Sequence, residues 1–447
     1  MSSLTTIVAA AHAIRRKDLT PQGLVADCLK KISRFDPQVR AWVKVDADGA
    51  QRDALLAARE LADGVDRGPL HGIPLGIKDI VDVVGLPTRA GSLLTEPEPS
   101  ACDAAVIRRL RAAGAIILGK TVTTEFAWLD PPPTANPWQL DRTPGGSSSG
   151  SAAAVALGMC TAAIGSQTGG SITRPASFCG VAGCKPTFGR VSRWGVVPVS
   201  FHLDHVGPIA HNAADCAILL HAIAGDDPQD PACSPRANFD LIDPQTIAAP
   251  RLGVIRPFFF EVADPEGAEL TLASIEKLVA AGAVQVELPL PEGFDQVHAL
   301  HRRVMAAEAA DYHHARYGAP RPGYGPNMAS LLEEGYDIRP SEYRAARQHQ
   351  VAFGHATNRV LTDVDAALTP ATVTAAPDRS TTGDPRFNSP WSYAGVPTVS
   401  IPIALTKAGL PVALQLVGKS WSEGQLLAVA QWCEARLGFE AMPKMLS

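Results

Sequence analysis

Twice along this sequence, a helix-period segment stops at a glycine and passes directly into a short apolar run, and that rhythm restricts the fold to the α/β class. Asp103 opens the first helix, which carries Val106 and Leu110. Gly114 ends it, and Ala115-Ile116-Ile117-Leu118 follows as a strand. Asp264-Pro265 opens the second, with Leu272, Ile275 and Leu278 at helical spacing. Gly282 ends it before the alternating Val284, Val286 and Leu288. The same grammar recurs elsewhere. Thr20-Pro21 is an N-cap with proline at the first helical position, followed by Leu24, Cys28 and Ile32. Asp48 to Ala62 is an Ala-rich helix stopped by Gly64, and Ile73 to Val84, Leu361 to Leu368 and Val396 to Ile403 are apolar enough for strands. Pro291 to Tyr343 is rich in His, Arg, Pro and Tyr, which predicts a less regular, lid-like region at about 291–345. With no internal repeat and no linker, one unit over 1–447 is expected. Its catalytic core should lie at about 65–215 and 361–435.

Composition excludes several classes of function. The 447 residues carry a net charge of -5 and are 46% hydrophobic, so the chain can bury a large core but offers no basic excess for nucleic acid or an anionic membrane. At the N-terminus Arg15, Arg16 and Lys17 follow the apolar stretch instead of preceding it, unlike a secretory signal. No apolar run reaches the roughly 18 residues a membrane span needs. The eight cysteines form no Cys-x-x-Cys pair, so zinc is not expected and the thiols read as reduced and buried in a cytoplasmic protein.

Gly145-Gly146-Ser147-Ser148-Ser149-Gly150-Ser151 is the segment most charged with chemistry. A flexible linker does not suit it, because an Ala/Val helix (Ser151 to Leu157) follows at once. A phosphate-binding loop needs Lys where Ser151 stands. A nucleophile elbow at Ser148 needs a preceding strand, whereas Pro137 to Pro144 is turn chemistry. Two further pieces belong with this loop. Gln167-Thr168-Gly169-Gly170-Ser171 follows the strand-like Ala162-Ala163-Ile164, and a Gly-Gly pair there can aim successive N–H groups at one point. Lys78 sits in the apolar run Gly72-Ile73-Pro74-Leu75-Gly76-Ile77-Lys78-Asp79. A lysine in such a place can pair with a carboxylate, here Asp79 or Asp82, or act as a base.

Taken together, these residues resemble the amidase signature family. The resemblance rests on Gly145 to Ala152, Thr168-Gly169-Gly170-Ser171-Ile172, Phe178-Cys179-Gly180, Gly183-Cys184-Lys185-Pro186-Thr187 and the lysine strand Gly72 to Asp79. It extends to Gly395-Val396-Pro397 and to Gly409-Leu410-Pro411-Val412 before Gln415-Leu416. It implies a large mixed β-sheet covered by helices on both faces, with no cofactor and no metal. It also implies a role for each residue: Lys78 as general base, Ser147 as the bridging serine beside a cis peptide, and Ser171 as the acyl-forming nucleophile. The backbone N–H groups of Thr168, Gly169, Gly170 and Ser171 would form the oxyanion hole. The chain departs from the family pattern at Gln167, where Asp is usual, and at Thr173, where Arg is usual. Arg174 stands one place later, a variant that resembles the malonamidase-like branch.

The chemistry fits those roles. A serine hydroxyl needs a base, a lysine is a base only when neutral, and burial favours the neutral amine. Ser147 can donate and accept at once and so pass a proton from Ser171 to Lys78. The expected reaction is hydrolysis of a small-molecule amide through an acyl-Ser171 intermediate, with esters and carbamates (urethanes) as further substrates. No nucleic acid or membrane partner is expected, and a homodimer is compatible with the sequence. Two alternatives stand: the glutamine-hydrolysing subunit of a tRNA amidotransferase, and a non-catalytic binding protein on the same fold. Trp128 and Leu129, with Pro131 to Pro133 and Ala135 nearby, are expected to line an apolar acyl pocket. Arg174 has two readings, a clamp for a substrate carboxylate or a brace for the loop through a buried ion pair.

Overall fold

The computed structural model describes residues 5–236 and 238–446; Met1 to Leu4, part of the N-terminal segment read above, lie outside them. Eleven strands form one mixed sheet: β1 Trp42–Val45, β2 Pro74–Lys78, β3 Ile116–Thr121, β4 Ala162–Gln167, β5 Ala182–Lys185, β6 His205–Ala210, β7 Arg251–Val254, β8 Val284–Glu287, β9 Ala366–Pro370, β10 Thr398–Leu405 and β11 Pro411–Val417. The spatial order is β1-β3-β2-β4-β6-β5-β10-β11-β9-β7-β8. β2 runs parallel to β3 and β4, whereas β5, β6, β10 and β11 pair antiparallel with their neighbours. Strands from both predicted core segments thus share one sheet.

Side-chain alternation shows how the sheet is covered. Along β3, Ile117 enters one apolar cluster, while Ile116 and Leu118 enter another. Along β4, Ala162 and Ile164 join the first cluster and Ala163 the second. Strands that bury both faces need an apolar layer on each side, and the helices supply it. The helix Ser149–Ala156 is built from small residues because it runs hard against the sheet. A Cβ on Gly150 would lie 2.1 Å from Ala41 O and 2.4 Å from Val122 N.

Local signals placed five of the fourteen α-helices among the described residues. The caps act as expected: Thr20 accepts from Gly23 N and Asp264 from Gly267 N, each with proline opening the helix. Three expectations need correction. The strand expected over 73–84 ends at Lys78, since Ile80 N and Val81 N both donate back to Lys78 O in a turn. The strand expected from Leu361 begins at Ala366, after the helix Pro340–Val360 has closed. The 291–345 region is not irregular: it contains the helices Val297–Tyr317 and Pro326–Asp337 and the start of Pro340–Val360. Proline at the start of the last two helices misled the reading, because there it is compatible with helix. Among the described residues no helix is long and apolar enough to cross a membrane.

Candidate active site

The parallel pairing of β2 with β4 brings the chemistry together. Their register, Leu75 with Ala162 and Ile77 with Ile164, carries Lys78 to the same sheet end as Ser166 and Gln167. Carboxyl ends of parallel strands are where α/β sheets place their ligand sites. Alternation sets Lys78 on the side of Gly76, away from Leu75 and Ile77, so its chain leaves the apolar layer those two residues enter.

Lys78 is fully buried. Its Nζ lies 2.7 Å from Ser147 Oγ and 2.8 Å from Ser166 Oγ. Neither predicted carboxylate partner serves it. Asp79 is instead 2.8 Å from the buried Lys120, and Asp82 accepts from Thr88 Oγ1 at 2.7 Å. Burial therefore pushes the amine well below the ordinary lysine value. The half-buried Asp204 carboxylate pulls it part of the way back, and Arg174 depresses it further.

Each serine of the Gly/Ser loop has a separate place. The Gly146–Ser147 peptide is cis, and Ser147 presents its hydroxyl to Lys78. Ser148 is locked to the backbone of Ser166, with Oγ 3.2 Å from both its O and its N, which leaves no room for the elbow reading. Ser149 Oγ donates to Gly145 O at 2.6 Å, and Ser151 Oγ reaches Thr121 Oγ1 at 2.7 Å.

The second loop is fastened to the first by Ser148 N donating to Ser171 O at 3.3 Å. Gln167 organises it. Its Oε1 accepts from Ile172 N, Thr173 N and Thr173 Oγ1 at 2.9, 3.0 and 3.1 Å, so the uncharged Gln167–Thr173 pair holds the turn without an ion pair. Among the described residues the N–H groups of Gly169, Gly170 and Ser171 donate to no protein acceptor, and no hydrogen bond joins Ser147 Oγ to Ser171 Oγ. Side-chain contacts in unliganded sites commonly tighten only when substrate binds.

Ser171 and Thr168 to Gly170 open onto a cavity of about 480 Å³. Trp128, Leu129, Phe258, Met305 and Pro385 form its apolar wall, with Arg302, Asp384 and Arg386 also lining it. Trp128 and Leu129 are among its lining residues, whereas Pro131 to Pro133 and Ala135 are not. A larger cavity of about 630 Å³ touches Ser166 and Asp204 but neither Ser147 nor Ser171.

Arg174 is 1% exposed. Its Nη2 donates to Gly146 O at 2.7 Å and contacts Thr382 Oγ1 at 3.4 Å, while Nε and Nη1 are buried without a partner. Among the described residues no carboxylate pairs with it, so the expected ion pair is absent, and burial lowers its pKa to about 10. Four polar residues at the site escaped sequence reading: Ser166, Asp204, His301 and Ser392. Only Ser166, in the strand that leads to Ser171, carried a local signal. Among the described residues no group of three or more His, Cys, Asp or Glu could hold a metal ion.

Comparison with known proteins places the chain in a family. The family model Amidase matches residues 23–427. A glutamyl-tRNA(Gln) amidotransferase subunit of Roseiflexus sp. (strain RS-1) is 35% identical over 465 residues, covering 95% of this chain and 94% of that protein. The X-ray structure of the native peptide amidase of Stenotrophomonas maltophilia aligns with a TM-score of 0.88 at 31% identity, over 99% of this chain and 99% of that one. A chain from a vestigial protein complex that reveals the evolutionary origins of an s-triazine catabolic enzyme aligns with a TM-score of 0.90 at 28% identity, over 98% of this chain and 100% of that one. With a family match across most of its length and this sheet beneath it, the chain belongs to the Amidase family and is an amidase, a hydrolase of carbon–nitrogen bonds.

Proposed function

We propose that the chain hydrolyses neutral small-molecule amides through an acyl-enzyme on Ser171, with Ser147 as proton relay and Lys78 as general base. One observation carries this reading: a fully buried lysine with no paired carboxylate among the described residues, 2.7 Å from the hydroxyl of Ser147. In acylation Ser171 Oγ bonds to the amide carbon, and its proton passes to Ser147 while the Ser147 proton passes to Lys78 Nζ. The oxyanion rests on the N–H groups of the 168–171 turn. Lys78 then returns a proton through Ser147 to the leaving nitrogen, the C–N bond breaks, and water attacks the ester by the same route reversed.

The wall of Trp128, Leu129, Phe258, Met305 and Pro385 supports a preference for apolar or aromatic acyl groups over small acids. Arg174 supports it from the other side. Its Nη2 donates to Gly146 O and contacts Thr382 Oγ1, and both bidentate edges of a guanidinium need Nη2, so neither edge is free to clamp a carboxylate. Arg174 acts as the brace of the Ser147 loop. The eight unpaired cysteines, most of them buried, support a reducing, cytoplasmic setting.

The test is a panel of amides, esters and carbamates offered to the isolated chain, with a fluorophosphonate to trap the nucleophile. Turnover without a partner, with the label on Ser171 by peptide mass spectrometry, is the expected result. No turnover alone but glutamine hydrolysis on adding the other components of a tRNA amidotransferase would overturn it.

A further inference from the structure

The turn that carries the nucleophile contains two adjacent glycines, Gly169 and Gly170, whose peptides can rotate with little steric resistance. An oxyanion hole made from such peptides needs something to hold their N–H groups in one direction. In a trans peptide the C=O of one residue points opposite to the N–H of the next, so fixing each carbonyl on the outside fixes each N–H on the inside. Every peptide in this turn is trans.

The carbonyls are held one by one. His205 Nδ1 lies 3.2 Å from Gln167 O, Ser392 Oγ donates to Gly169 O at 2.8 Å, and Arg174 N donates to Gly170 O at 2.9 Å. The Thr168 carbonyl is held by His301, whose Nε2 is 3.0 Å away. A carbonyl can only accept, so Nε2 carries the proton and donates. His301 comes from the helix Val297–Tyr317, 133 residues along the chain. It is 5% exposed, and its Cε1 would lie 3.7 Å from a Cβ on Gly169, which is contact distance for a ring packed on the turn.

The geometry points to His301 as the positioning residue that aims the Gly169 N–H into the oxyanion hole. This deepens the acyl-Ser171 reading and rests on it. His301 also lines the cavity beside Ser171, and its hold on the hole runs through the Thr168 carbonyl. Burial keeps the imidazole neutral, with its pKa lowered to about 4, so a single tautomer donates throughout the neutral range. A helix in the region expected to be an irregular lid thereby completes a hole that the Gly-Gly motif only begins.

The experiment compares His301→Leu, which removes the donor, with His301→Gln, which keeps an N–H at similar reach. Each is assayed on a neutral anilide for kcat and KM and titrated with a trifluoromethyl ketone of the same acyl group, which forms a tetrahedral adduct with an oxyanion. Loss of one oxyanion donor typically costs about 10²–10³-fold in kcat. His301→Leu is expected to lose kcat and ketone affinity together on that scale with KM nearly unchanged, and His301→Gln to recover most of both. His301→Leu with wild-type kcat and ketone affinity overturns the inference. So does a loss confined to KM and thermal stability, or a His301→Gln as impaired as His301→Leu while both melt like wild type. Should His301→Leu fail to fold, His301→Met replaces it under the same criteria. Failure of the underlying reading shows differently, as absence of fluorophosphonate label on Ser171 in the wild-type chain.

Discussion

At the scale of single residues, the decisive fact about Lys78 is what it lacks. A charged ammonium buried with no paired carboxylate among the described residues is costly, so the protein favours the neutral amine, and the neutral amine is the proposed base. We predict that Ser171→Ala abolishes turnover and that Lys78→Ala and Ser147→Ala each lower kcat/KM by about 10²–10⁴-fold. Near-wild-type activity in Lys78→Ala would refute the relay. The pH profile follows from the direction of the shift. Activity requires the unprotonated amine, so kcat/KM should rise with pH through the depressed pKa of Lys78 and level off above it, well short of the ordinary ~10.4. A rise whose midpoint sits near that ordinary value would show that Lys78 is not desolvated in solution as it is here. Lys78, Ser147 and Ser171 were singled out in the sequence because each lies in a dense local motif. Asp204 was not, because its influence comes from where β6 begins, beside Thr168 Oγ1 at 2.6 Å.

At the scale of elements, the small-residue helix Ser149–Ala156 holds the Ser147 loop against the sheet. Its residues are all buried, and its hydroxyls and glycine meet backbone instead of solvent. Gly150→Ala puts a methyl group into the Ala41 carbonyl and Val122 amide, both of them backbone atoms that cannot rotate away. Overpacking of this kind typically costs about 1–3 kcal/mol. We predict a lower denaturation midpoint in urea for Gly150→Ala, with activity falling alongside because Ser147 sits in the loop that leads into this helix. An unchanged midpoint would mean that the helix shifts freely, against the close approach seen here.

At the scale of the whole molecule, the apolar cavity wall and the engaged Arg174 predict specificity. A neutral anilide should show a higher kcat/KM than a matched amide that bears a small carboxylate, and Arg174→Ala should impair both substrates alike through the Ser147 loop. A carboxylate advantage that Arg174→Ala selectively removes would reverse the assignment and make Arg174 the substrate clamp. A chelator is expected to leave turnover intact, since the proposed relay runs through serine and lysine alone; inactivation restored by added zinc is the contrary result.

The sequence by itself picked out those helices and strands whose caps, glycine stops and apolar runs it read, among them Pro21–Val39, Pro265–Ala280 and Ile116–Thr121. It also singled out the lysine and the serines proposed to carry the chemistry. It misread 291–345 because composition there resembles a loop, while proline at a helix start is compatible with helix. Only the tertiary structure decided that Asp79 belongs to Lys120 and not to Lys78, that Arg174 holds the Gly146 carbonyl without an ion pair, and that His301 and Ser392, 133 and 223 residues away from their acceptors, hold the turn before the nucleophile. Capping and periodicity act over a few residues and are written in the local sequence. Desolvation and the hydrogen bonds that aim a backbone depend on which distant segments pack together, and that exists only in the folded chain.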